Sequence, residues 1–243
     1  MEIIRYAELK AHPWRNGGGV TRELASHPAA APAQGAPGQD APGQDGPAAA
    51  GWDWRVSIAE VSKAGDFSAY PGMDRVLTVV EGELLLLSVD GAEHPLEKYR
   101  PFRFSGDAAA TGALPTGDIR DLNVITRQGV FKGYTSIIEL SKKRAHPVFE
   151  GQFGILLQGQ AAVTPGTAGT GPGAPSGTAP GAGPGTPSGA APAAGTAGGS
   201  PGPQAAEPTT LARYDAVVGS DTDTPEILGR GFLAVVSIDR VAD

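Results

Sequence analysis

Residues 14–24 read WRNGGGVTREL, and three consecutive glycines between an arginine and a carboxylate pose the first question about the fold. A phosphate loop needs Gly-Lys-Ser/Thr at a helix start, and a dinucleotide site needs GxGxxG between strand and helix. Neither pattern is present. Val20, Arg22 and Leu24 alternate with Thr21, Glu23 and Ala25, which is the period of a β-strand. The glycines therefore lead into a strand and form a turn or bulge. Thr21 and Glu23 share one face of that strand, with Arg15 and Asn16 standing just before the turn.

The same period of two continues outward. WDWRVSIAEV (52–61) sets Trp52, Trp54, Val56 and Ile58 against Asp53, Arg55, Ser57 and Ala59. DIRDLNVIT (118–126) places Asp121 and Asn123 together, opposite Leu122 and Val124. RVLTVVEGELLLLSV (75–89) reads as two apolar strands joined in a hairpin at Glu81-Gly82-Glu83, with a further turn at residues 90–93. VFKGYTSIIEL (130–140), FGILLQGQAAVT (153–164), LARYDAVVG (211–219) and RGFLAVVSIDRV (230–241) extend the pattern. No long window shows a helical period, and only short stretches such as Tyr6–Lys10 suit a helical turn. Many short strands with glycine turns predict an all-β sandwich or barrel.

Two stretches fall outside this pattern. Residues 28–50, with APGQD repeated back to back, and residues 164–208 hold 17 of the chain's 36 glycines and 15 of its 22 prolines. They lack the apolar surface needed to offset the entropy of ordering, so disorder is expected in both. What remains, roughly 175 residues, suits two small β domains. Loop-tip insertion is tolerable because closure entropy grows only with the logarithm of length.

Charge and composition exclude several functions. The net charge of −7 and the single basic cluster, KKR at 142–144, offer no face for nucleic acid. Cysteine is absent, which removes disulfides, thiolate nucleophiles and thiolate metal sites. The first ten residues lack a signal-peptide core, and the longest aliphatic run, LLLL at 84–87, is too short to span a bilayer. A cytoplasmic protein without a membrane partner is expected. The four histidines, His12, His27, His94 and His146, each precede proline and form no HxH or HxxxH pair. Neither a metal site nor any other cofactor is expected from them. No GxSxG elbow is present either.

Arginine inside apolar strand sequence is the remaining signal. Arg15 follows Trp14, Arg55 lies between Trp54 and Val56, and Arg75 opens an apolar run. A buried guanidinium needs an acceptor. Internal pairing with Glu23, Glu60 or Asp121 is one solution, and gripping an anionic ligand bidentately is the other.

Taken in order, WRNGGGVTREL, WDWRVSIAEV, GDFSAYPGMDRVLTVVEGE, PFRFSGD and DIRDLNVITR resemble the HutD/Ves family over most of residues 1–140. The resemblance implies a bicupin: two small double-stranded β-helix (jelly-roll) barrels, residues 1–145 and 146–243, each carrying one insert, with terminal strands open to exchange between barrels. Where metal-binding cupins carry their histidine motif, this chain has Asp74 and Arg75. The family is associated with bacterial histidine utilisation. The implied role is metal-free binding of urocanate, formiminoglutamate or formylglutamate, with a regulatory or sensing purpose. The alternative is an acid–base enzyme, an isomerase or hydrolase, using Glu23 or Asp121. The ligand-binding residues carried over are Arg15, Asn16, Thr21, Glu23, Arg55, Ser68, Arg75, Asp121 and Asn123. The expected partners are a small carboxylate and, as an option, a second copy of the chain. Arg55 reaches a barrel interior only if Trp54 and Val56 turn away from it.

Overall fold

The structure is a computed structural model that describes residues 1–14, 16–29, 51–166 and 207–242. The bulk of both expected inserts, 30–50 and 167–206, lies outside the described residues, as does Arg15. The described ends of the inserts are strand: one strand runs through Pro28 and another through Pro165. The amide of Ala29 still donates to the carbonyl of Gly51 at 2.8 Å, so chain pairing extends past the predicted boundary.

In chain order the strands are β1 (Glu2–Ile4), β2 (Ala11–Pro13), β3 (Gly19–Pro28), β4 (Trp52–Val61), β5 (Gly65–Phe67), β6 (Met73–Glu81), β7 (Leu84–Val89), β8 (Ala92–Glu97) and β9 (Phe102–Ser105). They continue as β10 (Ala110–Ala113), β11 (Ile119–Arg127), β12 (Phe131–Leu140), β13 (His146–Pro147), β14 (Gln152–Pro165), β15 (Thr209–Leu211), β16 (Ala216–Val218) and β17 (Pro225–Arg240). Among the described residues a single 3-10 turn, Tyr6–Glu8, lies between β1 and β2, within the stretch expected to suit a helical turn. No helix among the described residues is long and apolar enough to cross a membrane.

The described residues form three sheets. A six-stranded sheet runs β2-β3-β4-β11-β6-β9, and a four-stranded sheet runs β5-β10-β7-β8. A seven-stranded sheet runs β1-β16-β14-β17-β12, with β13 on β17 and β15 on β14. This is the all-β, two-barrel cupin architecture. The six- and four-stranded sheets enclose the first barrel, whose core includes Val61, Leu77, Val79, Leu85, Leu87 and Ile119. The outer face of the six-stranded sheet packs on the seven-stranded sheet through Val56, Ile58, Leu122 and Val124 against Ile155, Leu157, Ala234 and Val236. The seven-stranded sheet surrounds a third apolar cluster that includes Val148, Leu156, Val163, Val217, Ile227 and Leu233. Each fully buried Val, Leu or Ile among them contributes about 1.5–3 kcal/mol of transfer free energy. Two strands from the first 145 residues, β1 and β12, pair with β16 and β17 in the seven-stranded sheet.

The predicted hairpin at Glu81-Gly82-Glu83 is not one. Strand β6 pairs with β11 and β9, while β7 pairs with β10 and β8 in the other sheet. The turn is a corner that passes the chain from one wall of the barrel to the other. The reason lies in burial: Val76 and Val80 face the seven-stranded sheet while Leu77 and Val79 face the barrel. A strand buried on both sides belongs in the middle of a layer. The next turn is a tight hairpin, with Asp90 and Gly91 both at positive φ between Val89 and Ala92.

The opening glycines close the hairpin from β2 to β3, with Trp14 N donating to Gly19 O at 2.9 Å. Gly17 supplies φ of +64° at the turn. A Cβ on Gly19 would collide with the carbonyl oxygen of Glu60 on β4. That glycine therefore serves the approach of two strands rather than the approach of a ligand.

Candidate functional site

Four strands of the six-stranded sheet carry the site, and their register sets its order. Across β3, β4, β11 and β6, Thr21 pairs with Ala59, Asp121 and Val79 in one row. The next row is Glu23, Ser57, Asn123 and Leu77, and the third is Ser26, Arg55, Ile125 and Arg75. Directly paired residues project to the same face. The inner face is thus apolar at one end, where Val61, Val79 and Ile119 pack, and polar at the other. Trp54 and Val56 turn toward the seven-stranded sheet, which leaves Arg55 and Ser57 facing inward. Trp52 departs from the alternation and packs with Tyr70, Met73 and Ile125.

At the polar end is a cavity of about 490 Å³, within the range of small-molecule sites. Eight of the nine residues expected to bind ligand line it: Asn16, Thr21, Glu23, Arg55, Ser68, Arg75, Asp121 and Asn123. The ninth, Arg15, lies outside the described residues. They divide by depth. Asp121, Arg75 and Asn123 are buried, at 0%, 2% and 8% exposure. Arg55 and Thr21 are half-buried, and Asn16, Glu23 and Ser68 are exposed around the mouth.

The mouth groups are already engaged. Glu23 accepts from the hydroxyl of Ser26 at 2.7 Å. Asn16 Oδ1 accepts from the amide of Gly18 at 3.0 Å. Thr21 Oγ1 accepts from the indole N–H of Trp14 at 2.8 Å, and Trp14 meets the ring of Phe67 edge-on at 6.1 Å. Ser68 contributes its carbonyl, which accepts from an Arg75 Nη at 3.1 Å.

The deep groups keep polar atoms unengaged. Both carboxylate oxygens of Asp121, Oδ1 of Asn123 and Nε of both Arg55 and Arg75 are buried without a hydrogen-bond partner. Neither arginine forms an ion pair among the described residues. The expected internal partner Glu60 is taken by Arg22 and Arg120. Instead, aromatic rings support the cations. Arg55 donates to the Tyr70 hydroxyl at 2.9 Å and lies 4.9 Å from the Trp52 ring centre. Arg75 lies 4.9 Å from Phe104, 5.3 Å from Tyr70 and 5.7 Å from Phe67.

Burial sets the electrostatics. Desolvation pulls the Arg75 guanidinium down to about 10, which still leaves it charged at neutral pH. Desolvation pushes the Asp121 carboxyl up to about 7, opposed by the positive field of Arg75. Unpaired buried charge costs several kcal/mol per ion, and a fold retains such groups when something repays them. The arrangement offers two fixed cations for an anion, with a carboxyl and an amide carbonyl beside them for a second polar group.

Sequence reasoning missed Tyr70, which holds Arg55 and touches Arg75. It lies in the GDFSAYPGMDRVLTVVEGE motif, between the ligand-binding candidates Ser68 and Arg75. An aromatic hydroxyl next to proline has no periodic signal to separate it from a turn residue. Among the histidines, His12 lines the cavity, His27 stacks on Trp54 at 5.8 Å and His94 packs on Phe102 at 4.6 Å. No group of three or more His, Cys, Asp or Glu among the described residues is placed to hold a metal ion.

Known proteins share this architecture. The chain is 35% identical over 130 residues to Protein Ves of Citrobacter koseri, a match covering 53% of this chain and 59% of that protein. It therefore spans less than two thirds of that relative's length. Among solved structures, a conserved protein of unknown function from Pseudomonas aeruginosa PAO1 is similar with a TM-score of 0.64 and 22% identity, over 99% of both chains. HutD from Pseudomonas fluorescens SBW25 is similar with a TM-score of 0.61 and 20% identity, again over 99% of both. At those identities the structures speak for the fold alone. The HutD family model matches residues 6–175, and that span covers β3, β4, β6 and β11, the strands that build the cavity. This chain belongs to the HutD family.

Proposed function

We propose that the first barrel binds a small anionic metabolite without a metal, with Arg55 and Arg75 holding a carboxylate and Asp121 and Asn123 hydrogen-bonding a second polar group. The observation that carries this reading is the set of buried, unpartnered polar atoms on those four residues around one cavity. A site of this kind is costly unless it is filled. Family membership supports ligands of histidine catabolism, namely urocanate, formiminoglutamate or formylglutamate, bound in the cytoplasm for sensing or regulation rather than turnover.

Thermal-shift and calorimetric titration with these three compounds, and with histidine as a control, tests the reading. Stabilisation and saturable heat with at least one of the three are expected. No response to any of them at millimolar concentration contradicts it.

A second reading is favoured by one specific observation: the Asp121 carboxyl is held near neutrality, where a general acid or base works best. Under that reading the site turns over a related small acid, as an isomerase or hydrolase. Chemical change of a bound compound, abolished by Asp121→Asn with binding retained, separates turnover from binding.

A further inference from the structure

Resting on the carboxylate-binding reading above, we infer that Asp121 takes up one proton when the anion enters, so that the cavity binds its ligand as an anion–proton pair. The geometry carries this. Asp121 is fully buried, and both its oxygens lack a hydrogen-bond partner. The nearest buried cation, Arg75, does not form an ion pair with it, because Arg75 is held by the Ser68 carbonyl and by three aromatic rings. A ligand carboxylate that engages Arg55 and Arg75 draws on the positive field of Arg75 that steadies the Asp121 anion among the described residues.

The charged and titratable groups facing the cavity are few among the described residues. They are His12 from β2, Glu23 from β3, Arg55 from β4, Arg75 from β6, and Asp66 and Tyr70 from the segment between β4 and β6. His12, Glu23 and Asp66 are exposed, where water and salt screen them. Tyr70 is buried but already accepts a hydrogen bond from Arg55. The four-stranded sheet behind the floor contributes Leu85, Leu87 and Leu96 to the barrel core. Nothing in this set supplies a new cation to Asp121 when the ligand arrives.

Ligand entry adds a negative charge beside Asp121 and displaces water from a low-dielectric site. Both effects disfavour the ionised carboxyl. Burial already pushes the carboxyl up to about 7, so the change falls in an accessible pH range. Once protonated, Asp121 donates to the second polar group of the ligand while Asn123 Oδ1 accepts. By linkage, affinity is flat below the free midpoint and falls by about tenfold per pH unit above it.

The test is calorimetric titration of the full chain with N-formylglutamate at pH 6 and pH 8.5, in two buffers of different ionisation enthalpy. The carboxyls of this probe titrate below about pH 5, so proton uptake over this range belongs to the protein. Expected is uptake approaching one proton at pH 8.5, little at pH 6, and weaker binding at the higher pH. Asp121→Asn is expected to bind with an affinity that no longer depends on pH. A second measurement needs no variant: carbon-13 NMR of the aspartate carboxyls, with the Asp121 midpoint near neutrality in the free protein and higher in the complex. Binding with no proton uptake, or a midpoint lowered by the ligand, overturns the proton coupling and leaves the ligand reading standing. No binding of formylglutamate, urocanate or formiminoglutamate at either pH overturns both.

Discussion

Arg75 and Asp121 face one cavity from neighbouring strands, both buried and opposite in charge, yet they form no ion pair. Register explains the separation: Arg75 pairs with Ile125, and Asp121 lies four residues further along β11, opposite Val79. Each shifts the other's titration, but each keeps polar atoms without a partner. A fold that only needed to neutralise these charges would have brought them into contact.

Asp121 lowers the stability of the ligand-free protein at neutral and alkaline pH. Its folded value is raised to about 7, above the usual 3.9 of an unfolded aspartate. Between those values the native state holds a proton that the unfolded chain has released, so stability declines as pH rises through the window. Asp121→Asn keeps the shape and removes the titration. Urea unfolding should show the variant more stable than the parent at pH 8, by on the order of a few kcal/mol. The advantage should vanish by pH 4.

Arg55 is the more accessible cation, and replacing it should act on binding more than on folding. Lysine cannot reproduce the planar fork that grips a carboxylate at two points. Arg55→Lys should weaken the binding of formylglutamate by about tenfold or more, with little change in melting temperature. Arg75→Lys differs in kind, since the guanidinium also anchors Ser68 and three rings. Calorimetry and thermal melts on the two variants should separate these roles.

The two barrels are tied together by Glu81. It accepts from the Tyr214 hydroxyl at 2.7 Å and pairs with Arg120 at 3.0 Å and Arg213 at 3.3 Å. Partial burial works to raise its carboxyl, but the Tyr214 hydrogen bond and the two arginines, helped by Lys98, hold it below its usual value. Its contribution is therefore present above the unfolded pKa of a glutamate and is lost as pH falls through the lower folded value. Glu81 is 39% exposed, so solvent screens much of the ionic part. Tyr214→Phe should cost about 1 kcal/mol in urea unfolding at pH 7. The cost should shrink in acid.

The glycines of the opening motif should differ sharply in tolerance. Gly17→Ala meets no neighbour but must hold φ of +64°, a cost of about 1 kcal/mol. Gly19→Ala drives a methyl group into the Glu60 carbonyl and the Trp14 ring. Its loss of stability should exceed that of Gly17→Ala, and thermal melts of the pair can rank them.

Much of this was legible in the sequence because alternation reports directly on which side chains share a face. Asp121 with Asn123, and Arg55 with Ser57, could be placed together from period alone. Their direction could not, because a strand pattern is symmetric until its partner is known. The same blindness made the turn at Glu81-Gly82-Glu83 read as a hairpin, when its two strands pair in different sheets. Period alone also does not place β1 and β12 in the seven-stranded sheet, an exchange of terminal strands that only the family resemblance left open. Pairing over such distances leaves no local trace. Tyr70 went unnoticed for a related reason: its role comes from where two arginines on β4 and β6 happen to converge.

Arg55, Arg75, Asp121 and Asn123 await an anion, and a crystal of the protein soaked in formylglutamate should reveal it. Carboxylate density is expected against the guanidinium groups of Arg55 and Arg75, with the second polar group of the ligand within hydrogen-bond distance of Asp121 and Asn123. A cavity that stays without ligand while Arg75 swings into an ion pair with Asp121 would contradict it.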